Sequence, residues 1–123
     1  MPVSRIAELI SRLETLAREY RVTIVSFGHA GNGNVHVNLL GDPDQPDELE
    51  RMRRCLGGVF RTVLDLQGTL SGEHGIGIDK RDYVELEIEP ATLDIMQRIK
   101  TQFDPAGILN PGKVFPAASG IAT

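Results

Sequence analysis

No tryptophan occurs among the 123 residues, aromatics amount to only 5%, and there is a single cysteine, Cys55. One thiol excludes an internal disulfide framework and suits a reducing compartment, so the cytoplasm is the expected setting. A basic surplus is lacking as well: 13 Lys and Arg against 17 Asp and Glu leave a formal net charge of −4. Nucleic acids and anionic membrane surfaces attract the opposite sign, and neither is an expected partner. No apolar run approaches the roughly 20 residues of a membrane-spanning helix. The opening residues mix Glu8, Glu14 and Glu19 with basic ones, which fits neither a secretory signal nor a transit peptide. Apolar residues make up 41% of the chain, enough for a core, and the length suits one small domain.

What is present in quantity is glycine, unevenly placed. Of 13 glycines, Gly28, Gly31, Gly33 and Gly41 fall in one stretch, and Gly68, Gly72, Gly75 and Gly77 in another. All three histidines lie in those two stretches. Backbone that can turn sharply and approach a ligand closely therefore surrounds every imidazole.

The apolar periodicity organises the rest. Ile6, Leu9, Ile10, Leu13, Leu16, Ala17 and Tyr20 predict an amphipathic helix over 4–20, with Ser4 as its N-cap. Strands are expected over 22–27 and 35–40, and a helix over 47–66 through Leu49, Met52, Leu56, Val59, Phe60 and Val63. Gly57 and Gly58 interrupt that helix at about 1 kcal/mol each, which close packing or a break into two helices would explain. Cys55 lies on its apolar side and reads as a buried structural thiol. A short strand is expected over 69–71. Pro90 then opens a helix with Leu93, Met96, Ile99 and Phe103 on one side, and Asp104-Pro105 ends it. Residues 108–116 form a proline-punctuated segment, so the domain is expected to span 1–116 with a flexible tail over 117–123. The order α-β-β-α-β-α gives an α+β fold, a small antiparallel sheet with helices packed on one face. An open sheet edge makes a homo-oligomer the expected state.

Two constellations carry chemistry. The first is Phe27-Gly-His29-Ala-Gly-Asn32-Gly33-Asn-Val-His36-Val-Asn38. Asn-Gly between β-rich runs signals a hairpin with a two-residue turn. Counting outward from it, His29 faces His36, with Cβ atoms about 4.5–5.5 Å apart. Two imidazoles so placed can reach one metal ion. Alternation puts Val35, Val37 and Leu39 on one face and His36 and Asn38 on the other. A loop with two surface histidines is the other reading of the same residues. The second constellation is Gly68-Thr-Leu-Ser-Gly72-Glu73-His74-Gly75-Ile-Gly77. Adjacent side chains in extended backbone point opposite ways, so one of Glu73 and His74 can bind a metal while its neighbour faces a substrate. His29, His36 and Glu73 would form a two-histidine, one-carboxylate set with open coordination positions. A β-turn bearing a solvated Glu-His pair fits the spacing equally well. Gly75-Ile-Gly77 is too short for a dinucleotide fingerprint, and no His-Glu-x-x-His run marks a metal hydrolase.

The stretches FGHAGNGNVHVNLL, GTLSGEHGIGIDKRDYVELEIEP and IKTQFDPAGILNPGKVFP, in that order, resemble the C-terminal end of the FAD-linked oxidase family. That family includes D-lactate dehydrogenases, the glycolate oxidase flavin subunit and D-2-hydroxyglutarate dehydrogenase. The resemblance extends from Val3 to Pro116 and implies part of a ferredoxin-like substrate domain. It implies that His29, His36 and Glu73 bind a divalent metal, zinc or manganese, and that His74 lies against substrate and flavin as the base. It also implies that Asn38 contacts substrate and that Asn110, in Leu109-Asn-Pro-Gly-Lys113, lies near the flavin. Without the family, Asn110 and Lys113 read equally well as a Pro-Gly turn closing the last helix. The implied reaction oxidises a D-2-hydroxy acid to a 2-oxo acid, His74 taking the hydroxyl proton as hydride passes to FAD. The sequence departs from the family pattern in two ways. Asn32 stands where the family has aspartate, which removes a negative charge beside the expected metal. The family's FAD-binding domain and substrate-carboxylate clamp, which lie upstream, have no counterpart in these 123 residues. The chain is therefore expected to be inactive alone, as a C-terminal enzyme segment or as a metal-binding module that joins a separate flavin subunit.

Overall fold

The computed structural model describes residues 1–29 and 31–116. The expected tail over 117–123 lies outside the described residues. Two compact units divide the chain, Met1–Gly72 and Glu73–Thr123.

The first unit is an antiparallel hairpin covered on one face by two helices. A short 3-10 turn, Val3–Arg5, leads into α1 over Ile6–Tyr20. Ser4 makes no side-chain cap; Pro2 occupies the cap position of that turn instead. α1 stops because Arg21 takes a left-handed φ of 53°, which lets the Val22 amide donate back to the Ala17 carbonyl at 3.0 Å. Strands β1 (Thr23–His29) and β2 (Asn34–Leu40) follow, and then the helix α2 over Pro46–Asp65, with proline in its first turn. Leu9, Leu13, Val22, Cys55, Val59 and Leu66 form the buried core, against which Ile24, Val35, Val37 and Leu39 of the hairpin pack. The α+β class, the small antiparallel sheet and the inward face of β2 are thus as the alternation predicts. α2 is continuous through its glycines. A Cβ on Gly58 would meet Leu16 Cδ2 at 3.1 Å, so close approach of α1, rather than a break, explains that position.

Among the described residues the sheet has two strands. The strand expected over 69–71 does not form: these residues pair with neither strand of the sheet, and only Leu70 among them is buried. Cys55 is wholly buried.

In the second unit a 3-10 helix over Arg81–Leu86 precedes α3, Pro90–Phe103. The 3-10 helix escapes a periodicity search because it is short and anchors through one residue, Val84, which is 1% exposed. α3 begins at Pro90 as expected, but its expected apolar side is only partly covered. Leu93 is buried, whereas Ile99 and Phe103 are 53% and 81% exposed.

Candidate functional site

The hairpin pairs in a register different from the one counted out from Asn32-Gly33. Phe27 lies opposite His36, and His29 opposite Asn34. Four positions, 30–33, separate the strands, where the Asn-Gly signal alone suggested two. Within that connection the Asn32 amide donates to the His29 carbonyl at 3.1 Å, and the Asn32 side-chain oxygen accepts from the Asn34 amide at 3.1 Å. Asn32 thus closes an Asx turn around Gly33, whose φ of 75° suits glycine.

The histidines still share a face. His29 and His36 sit diagonally across the ladder, their ring centroids 6.3 Å apart and their planes at 78°. Phe27 stacks on His36 at 5.1 Å between centroids with planes 25° apart, which restricts the swing of that imidazole. His29 is exposed at the end of β1, and His36 is half-buried in β2. Asn38, two residues on, lies on the same outward face opposite Val25. It borders a cavity of about 480 Å³ between Val37–Leu40 and the Leu49–Leu56 side of α2, whose walls are mostly apolar. The first motif therefore forms one surface: two imidazoles near the turn end of the hairpin, and a carboxamide further along the strand beside a cleft.

The approach to the second motif starts on the same hairpin. A Cβ on Gly72 would meet Asn34 Oδ1 at 2.6 Å, so this backbone lies close against the Asn34 side chain of β2. The Ser71 hydroxyl just before it is buried without a hydrogen-bond partner among the described residues. Glu73 and His74 open the second unit in irregular backbone, both exposed. Gly75 and Gly77 follow with φ of 78° and 60°. Asn110 is exposed and takes a left-handed φ of 48°, and its side-chain oxygen accepts a 3.0 Å hydrogen bond from Lys113 Nζ. The second and third motifs meet within this unit. The Val114 amide donates to the Gly77 carbonyl at 2.7 Å, and Arg81 Nη1 donates to the Gly112 carbonyl at 2.6 Å.

Three of these residues stand inside the quoted motifs without a role assigned to them from the sequence. They are Phe27, Ser71 and Arg81; the strand register would have pointed to Phe27 as the neighbour of His36, but only with the turn length known. Cys55, by contrast, is as expected: burial raises its thiol pKa, with Glu19 adding to the effect, and a thiol held protonated is a poor nucleophile.

The amino-acid sequence that carries the three motifs matches a known family. The family model of FAD linked oxidases, C-terminal domain, matches residues 1–114. The chain belongs to the FAD-linked oxidase family. Its relatives include the glycolate oxidase subunit GlcD of Bacillus subtilis, 39% identical over 115 residues, covering 94% of this chain and 24% of that protein. The D-2-hydroxyglutarate dehydrogenase of Stutzerimonas stutzeri is 40% identical over 120 residues, 94% of this chain and 26% of that protein. The D-lactate dehydrogenase of Archaeoglobus fulgidus is 40% identical over 114 residues, 93% and 25% respectively. This FAD-linked oxidase chain thus spans about a quarter of the length of those relatives. No helix among its described residues is long and apolar enough to cross a membrane.

Proposed function

We propose that this chain supplies the metal ligands and the base of an FAD-dependent D-2-hydroxy acid dehydrogenase or oxidase, within a ferredoxin-like substrate domain. His29, His36 and Glu73 hold one divalent ion, zinc or manganese. His74 takes the proton of the substrate hydroxyl, Asn38 and His74 contact the substrate, and Asn110 contacts the flavin. The observation that carries the reading is the pair of imidazoles on one outward face of the hairpin, 6.3 Å apart at their centroids. Diagonal neighbours on a ladder are within reach of a common ligand for side chains of this length. The substrate class comes from the relatives, whose names specify glycolate, D-lactate and D-2-hydroxyglutarate.

The donor set fits the ion. Imidazole nitrogen and carboxylate oxygen are ligands that zinc and manganese both accept, and three protein ligands leave positions open for substrate. Gly72 lies against Asn34, and Glu73 is its covalent successor, which supports a carboxylate reaching the hairpin. When bound, FAD supplies the hydride acceptor and the metal a Lewis acid for substrate oxygens. Imidazole suits proton removal because its unperturbed pKa, about 6.5, is close to working pH. Asn38 offers both a donor and an acceptor to a hydroxy acid.

A second reading, a non-catalytic metal-binding module that joins a separate flavin subunit, is favoured by exposed apolar side chains such as Phe27, Phe103 and Ile108 at 57%, 81% and 74%. The same side chains favour self-association, and the cytoplasm suits a lone buried thiol. Metal analysis of the untagged protein tests the ligand set: about one equivalent of zinc or manganese is expected, lost in His36→Ala. Absence of metal from both would contradict it. The pure chain given FAD and D-lactate is expected to reduce no dye; turnover would overturn the claim that it is only part of an enzyme.

A further inference from the structure

Between the Asp104 helix stop and Pro116 the second unit folds a bend that its sequence favours at Asn110-Pro111-Gly112 but not at Val114. Asn110, Gly112 and Val114 all take left-handed backbone, with φ of 48°, 70° and 71°. Glycine adopts this region freely and asparagine tolerates it, but a β-branched valine does not. Such a conformation persists only where the surroundings over-determine it. Two hydrogen bonds do so here. The Val114 amide donates to Gly77, and Arg81 Nη1, from the 3-10 helix, donates to the Gly112 carbonyl. Arg81 is half-buried, and its Nε, 3.5 Å from Asp82 Oδ1, makes no hydrogen bond among the described residues, so the Nη1 bond to Gly112 is what directs its guanidinium.

The bend has a chemical consequence at Asn110. Lys113 Nζ lies 3.0 Å from the Asn110 side-chain oxygen. An ammonium only donates, so the oxygen, and not the nitrogen, of the amide must face it. The amide nitrogen then points the other way and presents N–H donors.

We propose that Arg81 is a positioning residue: by gripping the Gly112 carbonyl it holds the Asn110–Val114 bend, in which Lys113 orients Asn110 as a hydrogen-bond donor toward an acceptor atom of the flavin. The second clause rests on Asn110 being a cofactor contact; the first does not. Loss of the grip leaves the strained valine unsupported, and the bend relaxes without unfolding α3.

Amide hydrogen exchange on the intact chain tests this, comparing wild type with Arg81→Met and Arg81→Lys. In Arg81→Met the Val114 amide is expected to exchange about tenfold faster or more, the ratio that losing a charge-assisted hydrogen bond corresponds to. Leu93 and Ile99 of α3 should keep their wild-type protection, and Arg81→Lys, which can still donate to the carbonyl, should recover part of the loss. Trypsin cleavage after Lys113 should follow the same order. Unchanged Val114 exchange would overturn the proposal. So would a parallel rise across α3, because Arg81 would then merely stabilise the unit. None of these readouts involves flavin, so a failed flavin assignment for Asn110 would leave them as expected and is separable.

Discussion

Asp104 illustrates how much a single side chain can organise. It is buried where α3 ends, and its carboxylate accepts hydrogen bonds from the Ile108 amide at 3.0 Å, the Leu109 amide at 2.9 Å, and the Lys100 ammonium. The Lys100 hydrogen bond chiefly holds its pKa below the ordinary carboxylate value of 3.8; burial opposes this, and the two amides reinforce it. The folded form therefore favours the ionised carboxylate. Its contribution to stability is complete above the ordinary value and disappears as pH falls through the lower, folded one. Thermal melts between pH 7 and pH 2 should show wild type losing stability in the acid range. Asp104→Asn should melt lower at pH 7 and fall less steeply in acid. Equal melting of the two proteins at pH 7 would contradict this role. Asp104-Pro105 was legible as a helix stop, because proline disfavours continuation. The capture of the 108–109 amides was not, since it depends on the chain folding back over the helix end.

At the scale of elements, α1, α2 and the hairpin were readable because each has a long apolar period or β-branched run. The hairpin register was not, because Asn32 closes an Asx turn that lengthens the connection. The face of each histidine nevertheless survived: a register change of two residues preserves side-chain parity, whereas a change of one would have sent His29 to the core side. The expected strand over 69–71 fails for the converse reason, as a three-residue run has no period to test. Packing between helices makes a separate prediction. Gly58 faces Leu16 Cδ2, the flexible end of a side chain. Gly58→Ala should change stability by less than about 1 kcal/mol, helix propensity offsetting the tight contact. Gly58→Val adds two branched methyls to the same gap and should destabilise by about 1–3 kcal/mol. Urea denaturation of both variants checks this, and a tolerated valine would contradict close packing of α1 on α2.

At the scale of the molecule, the three motifs divide between two units, with the histidine hairpin in Met1–Gly72 and Glu73, His74 and Asn110 in the second. Sequence order alone made the family legible, because three separate motifs in one order, two of them glycine-rich, are specific even without a structure. The ligand set is the claim that ties both units to chemistry. The most direct test is a Mn²⁺ titration followed by NMR line broadening on the wild-type chain. The account predicts that the amides of His29, His36 and Glu73 broaden together at sub-stoichiometric metal, and that Glu73→Gln weakens the effect at both histidines. Broadening confined to exposed acidic residues such as Asp42 and Asp44, with His29 and His36 unaffected, would contradict it.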